Sequence, residues 1–146
     1  MDHIDQTILQ ILKDNSRSSA SDIAKQVSLS VPAVTERIKK LEQSGTIEKY
    51  TIRINPEDLG YNLLVFVLVK IDSSRSLEAF QNEITALSNV MECHHIAGPA
   101  DYLLKVMVQD LASLEEFLSH QLKDMTGVVN TEVMFALSTL KEEYTV

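Results

Sequence analysis

The stretch LSVPAVTERIKKLEQSGTI, Leu29 to Ile47, decides how the first third of the chain folds. Ser30 has the side chain of a helix N-cap. Pro32 fits the first helical turn, where its missing N–H would have no partner in any case. Val31, Val34, Ile38 and Leu41 recur at i, i+3, i+7 and i+10, which predicts one apolar stripe turned toward a core. Gly45 ends the helix. With that stripe inward, Ser30, Pro32, Ala33, Thr35, Glu36, Arg37 and Lys40 turn partly or wholly outward, so the free face is small and basic.

Upstream, Ile4, Ile8, Ile11 and Leu12 predict a helix ending near Asp14-Asn15. Ser19-Ala20-Ser21-Asp22 fits a capping box, with Ser19 closing the helix start and Asp22 reaching back. The short helix it opens buries Ile23, Ala24 and Val27, and Ser28-Leu29-Ser30 breaks the pattern. Three helices with this tight turn form a helix-turn-helix over about residues 20–39. Downstream, alternation from Thr46 to Ile54 predicts an extended strand, and Asn55-Pro56-Glu57-Asp58-Leu59-Gly60 is a turn-rich connector. The domain boundary falls across residues 47–62, giving domains of 1–61, with a linker strand at about 46–61, and 62–146.

The second domain has a different period. Leu63 to Val69 is a continuous β-type run, followed by helix positions Leu77, Phe80, Ile84 and Leu87. Strand-like stretches from Val90 to Ala97 and from Tyr102 to Gln109 flank Gly98-Pro99-Ala100-Asp101. Leu111, Leu114, Phe117, Leu118 and Leu122 mark a second helix, and a last strand runs from about Val128 to Leu137. Leu77-Glu78-Ala79-Phe80 returns as Leu114-Glu115-Glu116-Phe117, a faint internal repeat. Two βαβ units in tandem predict an α+β, ferredoxin-like βαββαβ sheet with both helices on one face. Leu63 to Val69 and Val133 to Leu137 lack the polar alternation of a sheet with one wet face, so their second face is expected against another sheet. The donor would be a second copy of the chain, giving a homodimer or a larger assembly such as a tetramer or octamer.

Charge divides along the same boundary. The formal net charge is −8, yet residues 1–50 hold seven Lys/Arg and seven Asp/Glu, so the whole deficit lies in residues 51–146. The acidic total therefore says little against nucleic-acid binding by the first fifty residues. One cysteine, Cys93, excludes an internal disulfide framework and suits a reducing compartment. The amino terminus has no basic segment leading into an apolar run, and Leu63 to Val69 is too short to span a bilayer. The expectation is a cytoplasmic, nucleoid-associated protein.

Several motifs together carry a family resemblance. They are Ile4-Asp5-x-x-Ile8-Leu9, the run from Leu29-Ser30 through Glu36-Arg37-Ile38, Leu41-Glu42 and Gly45 to Ile47, and Asn55-Pro56. In the second half they are Leu64-Val65-Phe66-Val67, Glu92-Cys93-His94, Gly98-x-x-Asp101-Tyr102-Leu103-Leu104-Lys105 and Gly127-Val128. The chain resembles the Lrp/AsnC, or feast-famine, transcription regulators over nearly its whole length. The resemblance implies a winged helix-turn-helix that binds double-stranded DNA, joined to a RAM-type domain that dimerises and binds an amino acid or similar small effector.

The first turn of a recognition helix meets base edges in the major groove. Small side chains at Ser30 and Ala33 let the helix approach, and Arg37 can donate two bonds to a guanine edge. Lys39, Lys40 and Lys49 suit phosphates. Two competing readings stay open here: Arg37 paired with Glu36 or a carboxylate one turn away, and Lys40 paired with Glu36.

For the effector, the resemblance implies that the loop at Gly98, with Asp101 and Tyr102, holds a charged amino-acid head group, and that His95, Ala97 and Thr131 shape the far end. The bare residues also read as a simple turn. His95 departs from the aliphatic residue expected for a leucine-type effector, which leaves a polar or aromatic effector, or none, open. Cys93-His94-His95 is not expected to bind metal, because only Cys93 and His95 share a strand face and no second cluster completes four ligands. No cofactor motif or catalytic constellation stands out. Two further functions remain: an effector-independent protein that wraps DNA, and a regulatory subunit of amino-acid metabolism using only the βαββαβ part.

Overall fold

Asp2, Ser19 and Ser30 each cap a helix in a computed structural model of the chain, which describes residues 1–72 and 77–144. These helices are α1 (His3–Asp14), α2 (Ala20–Val27) and α3 (Val31–Gln43). Asp2 and Asp5 form a reciprocal capping box, each carboxylate accepting the other residue's backbone N–H at 2.9 Å. Ser19 accepts the Asp22 N–H, and Asp22 reaches back by accepting the Ser19 hydroxyl. Ser30 accepts the Ala33 N–H at 3.3 Å, with Pro32 in the first turn as expected.

Ile8, Ile23, Ala24, Val34 and Leu41 form the core of this helical unit, with Ile38 and Val27 packed beside them. Val31 is a correction, being 43% exposed rather than inward. It occupies the first helical position, and Leu29, just before the cap, packs on the core along with Val34 in the manner of a hydrophobic staple. The turn between α2 and α3 rests on Ser28, a non-glycine residue in the left-handed region at φ 53°. Gly45, also left-handed at φ 74°, follows the end of α3.

The strand expected over Thr46 to Ile54 does not form. Residues 46–55 carry no β pairing, and Tyr50, Ile52 and Ile54 are exposed. Alternation supplies a strand's side-chain pattern but not the neighbouring ladder that its N–H and C=O groups need. The segment is held to α3 by the Ile47 N–H, which donates to the Leu41 carbonyl at 3.0 Å, and by Tyr50, whose hydroxyl donates to Glu42. Asn55 then caps a 3₁₀ turn, Pro56–Leu59, closed by Gly60 at φ 82°.

Cα packing divides the chain into Met1–Arg53, with Glu143 and Tyr144, and Ile54–Glu142. The second unit contains β1 (Leu63–Ile71), α4 (Leu77–Thr85), β2 (Val90–His95), β3 (Tyr102–Val108), α5 (Leu111–Glu116) and β4 (Val128–Phe135). Its sheet is fully antiparallel in the order β2-β3-β1-β4, the ferredoxin-like arrangement. Helix α5 widens into π-helical turns over Phe117–Leu122 instead of continuing as one α-helix to Leu122. Leu111, expected inward, is 65% exposed at the start of α5, and β4 ends at Phe135, leaving Leu137 exposed.

Val65, Val67, Val69 and Ile71 of β1 point into one core with Tyr102, Leu104, Val106 and Val108 of β3. Phe80 and Ile84 of α4, and Leu114, Phe117 and Leu122 from the second helical segment, cover that face. Leu64, Phe66 and Leu68 alternate with the buried set and are half-buried on the opposite face. No helix among the described residues is long and apolar enough to cross a membrane.

Candidate nucleic-acid interface and ligand site

The outward face of α3 carries most of the expected DNA-binding residues. Ser30, Pro32, Thr35, Lys39 and Lys40 are exposed, and Ala33 is half-buried. Lys49 is also exposed and lies beside Tyr50, whose bond to Glu42 holds that segment against the C-terminal half of α3. Thr35 donates its hydroxyl hydrogen to the Val31 carbonyl at 3.0 Å, so outward it offers its methyl group and lone pairs. Glu36 and Lys40 form a loose exposed pair at 3.7 Å, which leaves the lysine head group in solvent.

Arg37 is placed differently from the rest. Its Nη1 donates to Asp2 Oδ2 at 2.8 Å and to Asp5 Oδ1 at 2.6 Å, and its side chain is 30% exposed. Its carboxylate partners thus come from the start of α1, not from Glu36 or one turn along α3. With Asp5, Ala33, Glu36 and Lys40, Arg37 lines a shallow depression on the helix surface. Sequence reasoning missed this cluster. The Asp2-x-x-Asp5 spacing, which is that of a capping box, was the available signal.

Strand register gathers the expected effector residues from three separate strands. His95 pairs with Tyr102, Tyr102 with Val69, and Val69 with Thr131, so these four form one row across the sheet. The His95 and Tyr102 rings stack with centroids 5.0 Å apart, and Tyr102 packs on Phe80 at 4.8 Å. The Tyr102 hydroxyl accepts from Gln81 Nε2 at 2.8 Å, a positioning contact that sequence reasoning did not include. His94 faces the other way and pairs with Glu92 at 3.0 Å, so the two histidines diverge. Cys93, half-buried, has its thiol pushed up by desolvation.

The loop from Ile96 to Asp101 closes one end of that row. Asp101 Oδ2 accepts the Ile71 N–H at 2.7 Å, the Asp101 N–H donates to Val69, and its carbonyl accepts from Ile96. One carboxylate oxygen is therefore committed to ending β1. Ala97 and Gly98 are exposed, and a Cβ added at Gly98 would meet nothing within 4 Å. Gly98 also lacks a left-handed backbone, so the turn itself does not require glycine there. A bare backbone facing open space suits close approach by another group.

Comparison with known proteins agrees with both units. Residues 1–48 match a winged helix-turn-helix DNA-binding model, and residues 64–146 match the Lrp/AsnC ligand binding domain. The chain is 34% identical over 142 residues to the HTH-type transcriptional regulator FL11 of Pyrococcus abyssi, covering 97% of this chain and 93% of that protein. It is 33% identical over 144 residues to the leucine-responsive regulatory protein of Escherichia coli strain K12, covering 97% and 88%. Among solved structures, a transcriptional regulator of Neisseria meningitidis in complex with L-Met superposes with a TM-score of 0.94 at 27% identity, covering 100% of this chain and 96% of that one. LrpC of Bacillus subtilis gives a TM-score of 0.87 at 30% identity, covering 98% and 99%.

The α1 cluster makes the helical unit acid-sensitive. Asp2 is held below the ordinary aspartate range first by the Asp5 N–H and then by Arg37; Asp5 is held there first by the Asp2 N–H and then by Arg37. Depressed folded-state pKa values stabilise above the unfolded value of about 3.9, and the contribution is lost as pH falls through the folded values. Urea denaturation of the full chain, followed by helical circular dichroism, should show this unit weakening only below about pH 4. A midpoint already falling between about pH 6 and 5 would contradict that assignment.

Proposed function

The chain belongs to the Lrp/AsnC family of transcription regulators, and from that membership we propose how its two units divide the work. The first unit binds double-stranded DNA by laying α3 in the major groove. Ser30, Pro32, Ala33 and Thr35 face base edges, Arg37 contributes a guanidinium, and Lys39, Lys40 and Lys49 meet phosphates. The carrying observation is that Ser30, Pro32, Thr35, Lys39 and Lys40 are exposed while Val34 and Leu41 hold the helix to its core. On this reading the protein works on chromosomal DNA in the cytoplasm.

The second unit binds the effector and joins copies of the chain. Leu64, Phe66 and Leu68 of β1, with Leu103 and Met107 of β3, form a largely apolar sheet face that no helix among the described residues covers. A second copy presenting the same face buries it symmetrically. The effector is an amino acid, held by the Gly98 loop and Asp101, with its side chain toward His95, Ala97 and Thr131, while Tyr102 backs the site from the core. L-Met in the complex of the Neisseria relative supports the class of ligand. The stacked His95–Tyr102 pair favours a polar or aromatic side chain over a purely aliphatic one.

Three measurements test these assignments. Affinity for a duplex should fall steeply with salt despite the acidic whole, and Lys39→Ala should reduce the slope of log K against log salt by about 1. An unchanged slope removes Lys39 from the phosphate contacts. Light scattering should give a mass of at least two chains, and Phe66→Asp should reduce it to one. A wild-type monomer would sink the shared face. In a thermal-shift panel of common amino acids, at least one polar or aromatic member should raise the melting temperature, and His95→Leu should move the preference toward aliphatic ones. No response across the panel would favour effector-independent DNA wrapping.

A further inference from the structure

We infer that Asp2 and Asp5 are positioning residues for DNA binding, holding Arg37 so that the unused edge of its guanidinium is presented to the duplex; this rests on the reading of Arg37 as a DNA contact. Each carboxylate is divided between two tasks. One oxygen of each accepts the other's backbone N–H at 2.9 Å, which fixes the carboxylate to the start of α1. The remaining oxygens, Asp2 Oδ2 and Asp5 Oδ1, both accept from Arg37 Nη1, at 2.8 and 2.6 Å.

A guanidinium is planar and rigid, so fixing Nη1 orients the whole fork. Both N–H groups of Nη1 are used. The three on Nε and Nη2 make no protein hydrogen bond among the described residues. They belong to a side chain that is 30% exposed and that lines the open depression with Ala33, Glu36 and Lys40. Such an edge suits a phosphate or the acceptor edge of guanine.

The charge balance makes the inference testable by sign. Two carboxylates beside a DNA-facing surface repel phosphates, so removing them should tighten binding if charge alone mattered. If they order Arg37 beforehand, removing them should weaken binding instead, by about two- to twelve-fold, the cost of immobilising one long side chain. Asparagine is a good N-cap at position 2, and at position 5 its amide oxygen can still accept the N–H of residue 2, so Asp2→Asn with Asp5→Asn keeps both capping acceptors while removing both charges.

The experiment uses the full chain and a duplex enriched by the wild-type protein from a random-sequence library. Affinities are measured for wild type, Arg37→Ala, Asp2→Asn/Asp5→Asn and the triple variant. The expected result is about ten-fold or greater weakening for Arg37→Ala, a smaller loss for the double variant, and no additional loss in the triple variant. Unchanged or tighter binding by the double variant, with Arg37→Ala weakened, overturns the positioning role and leaves Arg37 as a contact. An equal further loss when the double change is made in Arg37→Ala assigns the effect to helix structure and overturns it as well. Unchanged binding by Arg37→Ala removes the underlying DNA contact itself.

Discussion

Strand β1 is hydrogen-bonded on both sides, and much of the second unit follows from that constraint. Its register against β3 runs from Leu63 opposite Val108 to Val69 opposite Tyr102, while β4 pairs along its other edge. A strand fixed from both sides has no freedom to slip. A shift of one residue would exchange its two faces, sending Val65, Val67 and Val69 outward and Leu64, Phe66 and Leu68 beneath the helices. The same register sets His95, Tyr102, Val69 and Thr131 in line, so the proposed ligand site inherits its alignment from core packing. On the opposite face it places Lys105 between Glu92 and Phe66. That lysine is 9% exposed and is held by the Glu92 and Glu142 carboxylates, so the charge on this apolar face is neutralised locally.

The helical unit follows a different rule, in which helix ends do much of the positioning. Asp2, Ser19 and Ser30 satisfy N–H groups at three helix starts, and Leu29 anchors the start of α3 to the core. Because the core grips Val34 and Leu41, the exposed positions between them are free to vary in chemistry. The sequence's neutrality over residues 1–50 describes this unit better than the acidity of the whole chain.

Elements whose period and end signals agreed were legible in advance. Ser30, Pro32, Val34, Leu41 and Gly45 marked α3, and the change from continuous apolar runs to helical spacing separated the sheet from its helices. What failed had one kind of signal without the other. Thr46 to Ile54 alternates like a strand but has no ladder partner, and Val31 and Leu111 fit their stripes but sit at first helical positions, beyond the core. Distant pairings left no local trace. Arg37 meets carboxylates 32 and 35 positions away, and Lys105 meets Glu142 at a separation of 37. Family resemblance, not periodicity, picked out His95 and Thr131, and register then set them in one row with Tyr102.

Ser28 bears on how this chain can change over time. The chain turns from α2 to α3 through one left-handed torsion at Ser28, and the shared core of Ile23, Ala24, Val34 and Leu41 holds the two helices together on either side of it. Residues that tolerate that torsion, such as asparagine or glycine, can replace serine while the path of the backbone stays the same. A β-branched residue cannot. The turn is thus permissive in chemistry and strict in shape, so its history can be one of frequent exchange among a few small residues with α3 kept at a constant angle.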